Sequence, residues 1–265
     1  MFNLIVKSKT VDSLEIVSLG QSGFRFRSGD TTIYIDPYLS DSVEKLEGRR
    51  SRRQIPVWKS PTLIHDADWV LITHLHLDHC DLETLRPISN ASPMCRFVGP
   101  REVCRYLERN GIASNRLLTV PMNWMELASG VRIHAVPAAH PAIETDSDGH
   151  WRCVGYIIAI DGRRFYHAGD TSLTTELLEF LMRFRPIDTV FLPVNERNYF
   201  RDRLGIIANM GLRDAFGLAD SIGAKKLVPM HWDMFLPNSV FREEIELHYR
   251  LSKPSFELII NPGVL

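Results

Sequence analysis

Trp69-Val70-Leu71-Ile72-Thr73-His74-Leu75-His76-Leu77-Asp78-His79 is the stretch on which the reading of this chain turns. Its first five residues form a short apolar run of the kind that makes a buried strand. The next six carry three imidazoles and a carboxylate. In an extended or tightly turning segment, alternate side chains share a face, so His74 and His76 point together. Asp78 and His79 then serve a second position, and one loop can hold parts of two adjacent metal sites. Imidazole and carboxylate donors suit zinc, manganese and iron, and the lack of thiolate argues against a purely structural zinc site.

Two metals need more ligands than this loop offers. In α/β folds, sites gather outside the carboxyl ends of strands. Three candidates stand there. His140 follows a predicted strand Val131–Val136 through Pro-Ala-Ala. Asp170 follows Arg163–His167 in His-Ala-Gly-Asp-Thr, and His231 follows Lys226–Met230 in Pro-Met-His-Trp-Asp. Each alone reads equally as a plain loop residue. With the loop they complete a set of seven: His74, His76, Asp78, His79, His140, Asp170 and His231. Asp36, at the end of a strand Thr31–Ile35, is placed to accept a hydrogen bond from a ligand imidazole and fix its tautomer. Beside Pro37 it reads equally as a turn or helix cap.

The rest of the chain alternates strands and helices. Strands are expected at Leu14–Leu19, Phe24–Arg27, Trp69–Thr73, Val154–Ile160, Thr189–Val194 and Phe256–Ile260 besides those already named. Helices are expected at Arg101–Asn110, Thr175–Phe184, Leu212–Ile222 and Ser239–Leu251, the last with Phe241, Ile245 and Tyr249 on one face. No repeat or linker interrupts the pattern, so residues 1–265 read as one α/β domain with sheets covered by helices.

Composition excludes more than it identifies. The 265 residues are 45% hydrophobic and 24% charged, ordinary for a globular protein. A formal net charge of −1 gives no general attraction to nucleic acid. No apolar run is long enough to span a membrane, and Met1–Lys7 lacks the apolar core of a leader peptide. A soluble, cytoplasmic protein is expected. The four cysteines, Cys80, Cys95, Cys104 and Cys153, have no Cys-x-x-Cys spacing and read as reduced, mostly buried thiols. The segment Glu44–Lys59 is unusual, with six basic residues against two acidic, a local charge of +4. It reads as a loop, either merely solvated or collecting anions through Arg52 and Arg53. Asn195, Arg197, Tyr199 and Arg201, after the strand Thr189–Val194, are candidates for contact with a phosphorylated small-molecule substrate, against the plain reading of a polar loop. The remaining histidines read as core or surface residues, with His150 placed to border a pocket.

The seven-residue set, the opening Leu19-Gly20…Gly23, Tyr34-Ile35-Asp36-Pro37 and the closing Lys226-Leu227-Val228-Pro229-Met230-His231-Trp232-Asp233 resemble the metallo-β-lactamase superfamily of metal-dependent hydrolases. Within it, the motifs are most similar to the ascorbate-6-phosphate lactonase branch, although this chain is shorter. The resemblance implies a four-layer αββα sandwich with metals at one edge. It implies that His74, His76 and His140 hold one ion, that Asp78, His79 and His231 hold the other, and that Asp170 bridges them. Asp78 and Asp170 are then catalytic as well as metal-binding. Two divalent ions, manganese or zinc with iron as a further option, would share an activated water. The expected reaction is opening of a lactone or ester of a small, phosphorylated, sugar-like metabolite. The alternative is a phosphodiesterase, either nucleotide-directed or similar to N-acyl-phosphatidylethanolamine phospholipase D. Di-iron redox relatives usually carry a glutamate where His76 stands here. No serine-hydrolase elbow is present, since Gly20-Gln21-Ser22-Gly23 has the wrong spacing.

Overall fold

The computed structural model describes residues 14–260 other than residue 208. The expectation about Met1–Lys7 lies outside that range, as do the ends of the expected single domain. Thirteen strands form two sheets among the described residues. The first sheet runs in chain order through β1 (Glu15–Gly20), β2 (Gly23–Ser28), β3 (Thr31–Ile35), β4 (Trp69–Leu71), β5 (Arg96–Gly99) and β6 (Leu117–Thr119). The second contains β7 (Met125–Ala128), β8 (Val131–Pro137), β9 (Val154–Ile160), β10 (Arg163–His167), β11 (Thr189–Pro193), β12 (Lys226–Met230) and β13 (Glu257–Leu258), also as sequential neighbours.

The period of two in the strands explains the layering. In β3, Ile33 and Ile35 face the second sheet while Tyr34 faces outward; in β4, Trp69 and Leu71 face inward and Val70 outward. Between the sheets, Phe24 and Phe26 interlock with Phe191 and Phe165 at ring separations of 4.5–5.6 Å. Outside the first sheet, α2 (Leu82–Ala91) and α3 (Arg101–Arg109) bury Leu85, Ile88, Val103 and Leu107. Outside the second, α4 (Thr175–Met182) contacts β8, and α6 (Leu212–Ser221) contacts β11 and β12. The result is a four-layer αββα sandwich. Two short helices, α1 (Ser42–Glu47) and α5 (Tyr199–Arg203), lie in connections, and α7 (Arg242–Ser252) buries Ile245 near the end.

Strand direction places the site. β3 and β4 are parallel, and so are β10, β11 and β12. β8 and β10 each pair antiparallel with β9, so they run the same way. The carboxyl ends of these strands therefore share an edge. There the two sheets are stitched together: Val154 N–H donates to Thr73 O at 3.0 Å and His231 N–H to Gln21 O at 3.1 Å. Tyr156 Oη donates to Ile72 O at 2.8 Å. Gly169 permits this approach, because at its φ of +61° a Cβ would lie 2.9 Å from both Thr73 Cβ and Val154 O.

Several local expectations are corrected. The basic segment is not all loop: it begins inside α1 and continues as a 3₁₀ turn at Arg49–Ser51. The last helix starts at Arg242, leaving Phe241 before it and 77% exposed. The final strand is only Glu257–Leu258. Besides the short helices α1 and α5, the unexpected elements include α2, which carries Pro87 inside a polar stretch, and the three- and four-residue strands β5, β6 and β7. The four cysteines are free, with Cys80 and Cys95 buried. No helix among the described residues is long and apolar enough to cross a membrane.

Candidate metal centre

Each of the seven expected ligands sits just past a strand. The loop after β4 carries His74, His76, Asp78 and His79; His140 follows β8, Asp170 follows β10 and His231 follows β12. His231 turns inward at once through a φ of +59°. The structure brings them into three overlapping groups: His74, His76 and His140; His74, His79 and Asp170; and Asp78, His79 and His231.

In the first group, His76 Nδ1 is 3.0 Å from His74 Nε2 and 3.1 Å from His140 Nε2. In the second and third, Asp170 Oδ1 is 3.3 Å from His79 Nε2, and its Oδ2 is 3.1 Å from His231 Nε2 and 3.7 Å from His140 Nε2. His231 Nε2 is also 3.3 Å from Asp78 Oδ2. The Asp170 carboxylate thus spans both halves.

A divalent ion fits this arrangement. Donors at 2.0–2.1 Å in a tetrahedral shell are separated by roughly 3.3 Å, the range seen here. His76 Nδ1 can share a proton with only one of its two imidazole neighbours, so the other contact lacks a hydrogen bond. His79 Nε2 and Asp170 Oδ1 are buried without any hydrogen-bond partner. Such orphaned groups in a protein interior demand a counterpart.

The electrostatics agree. Burial pushes His74 well below its ordinary pKa and His140 down to about 4, holding both as the neutral, ligating form. Burial also presses His79 and His231 downward, but nearby carboxylates outweigh it. Asp170, Asp78 and Asp36 hold His79 well above its usual value, and Asp170 and Asp78 lift His231 to about 9. Burial likewise opposes ionisation of Asp78 and Asp170, yet His79 and His231 keep both well below the carboxylate range. Protons here occupy a field that would hold a metal cation.

Asp36 organises the ligands from behind. It is fully buried at the end of β3. Its Oδ1 accepts from Thr73 N–H at 2.8 Å, and its Oδ2 accepts from Thr73 Oγ1 at 2.6 Å and His79 Nδ1 at 2.7 Å. With that hydroxyl proton committed, Thr73 Oγ1 accepts from His74 Nδ1, 3.0 Å away. One carboxylate thus keeps a proton on Nδ1 of both His79 and His74, which aims each Nε2 at a metal.

The Beta-lactamase superfamily domain matches residues 31–232. The chain belongs to the metallo-β-lactamase superfamily. Within the superfamily it joins the UPF0173 metal-dependent hydrolases. One such protein, from Thermococcus kodakarensis, is 30% identical over 257 residues, covering 94% of this chain and 97% of that one. The structure of Igni18, a metallo hydrolase from Ignicoccus hospitalis, superposes with a TM-score of 0.70 at 22% identity, over 95% of this chain and 98% of that one. A possible metal-dependent hydrolase from Veillonella parvula gives 0.74 at 18% identity with the same coverage, 95% and 98%. These similarities carry the superfamily and its metal-dependent hydrolase character, not the narrower ascorbate-6-phosphate lactonase branch.

A cavity of about 330 Å³ opens over this edge, with His76, Asp78, Asp170 and His231 in its lining. The six residues expected to contact substrate are absent from that lining. Arg53 is a brace: it donates to Tyr38 O at 2.8 Å and Ser40 O at 3.2 Å and stacks on the Tyr38 ring. Arg52 is exposed, and its neighbour Arg50 is the arginine that reaches the cavity. Arg201 is buried and holds the carbonyls of Glu196 and Ser239. Arg197 pairs with Asp202 in solvent, and Tyr199 is 67% exposed. Asn195 lies behind the site, where Asn209 Nδ2 donates to it and it donates to Asn238 Oδ1 at 3.0 Å. The Asn238 amide lies 3.3 Å from His231 Nδ1. His150 is 3.3 Å from Arg101 in a separate cleft.

Sequence reading missed Gln21, whose Nε2 donates to Asp78 Oδ2 at 2.6 Å. Its signal was the Gly20-Gln21-Ser22-Gly23 turn, where Gln21 takes a φ of +55°. It also missed Leu204-Gly205-Ile206-Ile207, an apolar run in a polar loop, which forms a cavity wall.

Proposed function

We propose that this metal-dependent hydrolase opens an ester or lactone of a small metabolite, using two divalent ions held by His74, His76, His140, Asp78, His79, His231 and Asp170. The observation that carries the reading is Asp170, whose two oxygens face His79 on one side and His231 and His140 on the other, at the floor of an open cavity. Bound there, a pair of ions such as zinc, manganese or iron would supply an acidified water and polarise the scissile oxygen. The chain does the rest. Asp78 and Asp170 present carboxylate oxygens beside the cavity to orient that water. Gln21 fixes Asp78, and Asp36 fixes the His79 and His74 tautomers.

A phosphorylated substrate draws no support from the cavity lining, since Arg53, Arg197 and Arg201 serve other contacts and Arg52 is exposed outside it. Metal analysis after loading with zinc or manganese tests the reading. Wild type is expected to hold two ions per chain and to hydrolyse esters or lactones. Asp170→Asn is expected to fold, to retain no more than one ion and to lose most activity. Fewer than one ion in wild type, or full activity in the variant, refutes it.

A further inference from the structure

The cavity has an ionic floor and an apolar wall. Leu46 of α1, Leu77, Leu204, Ile206, Ile207 and Phe235 line it above the metal-ligand side chains. Leu46 is 74% exposed, Leu204 41% and Ile207 43%. Single exposed apolar residues need no explanation, but here three converge on one opening from two separate segments. The wall is also built to stay in place. The turn carrying Leu204 and Ile206 is held by their N–H groups, which donate to Arg201 O at 3.0 Å. Arg201 in turn is buried and anchored to the carbonyls of Glu196 and Ser239. Charge on the wall is balanced: Arg50 is its cation, and Glu47 its carboxylate. A phosphate dianion would find no cluster of donors there. The volume, about 330 Å³, lies at the low end of small-molecule pockets.

We propose that this wall is a subsite for a hydrocarbon chain, so that the substrate is an ester or lactone bearing a medium-length acyl or alkyl group. The inference rests on the hydrolase reading above, and it names the part of the substrate that does not react. A molecule at His76, Asp78, Asp170 and His231 occupies the same cavity as Leu46 and Ile207. Each methylene it buries there leaves water.

Two measurements on the metal-loaded protein test this. The first is kcat/KM for 4-nitrophenyl alkanoates from acetate to octanoate, and for γ-lactones from butyrolactone to decalactone, with 6-phosphogluconolactone as the polar comparator. Hexyl acetate against 4-nitrophenyl hexanoate separates a chain on the alcohol side from one on the acyl side. The second is calorimetric binding of butanoate, hexanoate and octanoate, which needs no turnover. Both series are expected to rise about threefold to fourfold per methylene until the wall is covered. Leu46→Asn with Ile207→Asn, both at exposed positions, is expected to lower the octanoate-to-acetate ratio at least tenfold. A flat binding series, preference for the phosphorylated lactone, or an unchanged ratio in the double variant overturns the subsite. Turnover that ignores chain length overturns it while leaving the hydrolase reading intact. Rising carboxylate affinity with no ester or lactone turned over supports the subsite and removes the hydrolase reading.

Discussion

Asp36→Asn changes one atom and reverses a chain of hydrogen bonds. Asp36 Oδ2 receives protons from His79 Nδ1 at 2.7 Å and from Thr73 Oγ1 at 2.6 Å. An amide can keep its oxygen on Thr73 N–H, but its NH₂ group then faces both former donors. His79 Nδ1–H cannot remain opposite an N–H. The ring escapes by moving its proton to Nε2, the atom 3.3 Å from Asp170 Oδ1. That removes the lone pair a metal needs. Thr73 Oγ1 now accepts from the amide and turns its proton toward His74 Nδ1, 3.0 Å away, driving that ring to the wrong tautomer as well. A hydrogen bond to a charged group is worth about 1.5–3 kcal/mol, and about 1.4 kcal/mol is tenfold in affinity. Metal affinity should therefore fall roughly 10- to 100-fold at the His79 half, in line with losses on changing groups that orient ligands.

Thr73→Val separates the two branches. It keeps the Thr73 backbone bond to Asp36 Oδ1 at 2.8 Å and the His79 bond to Oδ2, and removes the hydroxyl that joins Asp36 Oδ2 to His74 Nδ1. Chelator competition with zinc and with manganese should show both binding steps weakened in Asp36→Asn and one step weakened in Thr73→Val. Nitrogen shifts of the labelled His74 imidazole, which burial keeps neutral, should report its exchanged tautomer in the metal-free protein. Affinities within threefold of wild type for both steps in Asp36→Asn, with the fold intact by circular dichroism, would refute the orienting role.

Two other substitutions probe the supports of the centre. Asn238→Ala removes the NH₂ group that faces His231 Nδ1 at 3.3 Å and favours a proton on the ligating Nε2, so metal affinity should hold or rise with little change in melting temperature; a tenfold loss in the same chelator competition would contradict it. Gly169→Ala forces a side chain into a φ of +61° and against Thr73 Cβ at 2.9 Å. The left-handed backbone and the overpacking together should cost about 2–5 kcal/mol, a melting temperature lower by roughly 5–15 °C, and a change under 2 °C would show that the sheets do not meet tightly there.

The cluster of candidate metal ligands was legible because its chemistry is scarce and its positions follow from strand ends. Three histidines and an aspartate after Thr73 have few other uses, and His140, Asp170 and His231 each follow an apolar run with clear β character. The supporting amides were not legible for the opposite reason. Gln21, Asn195, Asn209 and Asn238 are common residue types from distant segments, and only the pairing of β1 with β2 and of β11 with β12 brings them to one edge. The arginines show a different failure. Arg50, Arg52 and Arg53 look alike in sequence, but the 3₁₀ turn at Arg49–Ser51 and the bond from Gln54 N–H to Met234 O at 2.8 Å decide which way each points. Arg53 is carried under Tyr38, and only Arg50 reaches the cavity. Helix α2 escaped notice because Pro87 breaks the usual signal, although Asp81 caps it by accepting from Glu83 N–H.

A near-neutral chain can still hold a strong local field, and this centre divides that field unevenly. The half formed by His74, His76 and His140 is purely imidazole, and burial keeps His74 and His140 neutral. The half formed by Asp78, His79 and His231 sits among ionised carboxylates strong enough to raise both imidazoles despite burial. A dication entering the second half meets negative charge that the first half lacks, but must displace protons held there at neutral pH. A dication entering the first half displaces no such protons and gains charge compensation only from Asp170, whose Oδ2 lies 3.7 Å from His140 Nε2. The two binding steps should therefore differ in proton release, which calorimetry in buffers of different ionisation enthalpy measures directly. Two equivalents released with the same proton count would mean that the carboxylates do not distinguish the halves. Asp36 touches both halves, directly through His79 and through Thr73 to His74. Like Asp170, which faces both halves directly, it is a side chain whose loss should weaken two electrostatically different steps together.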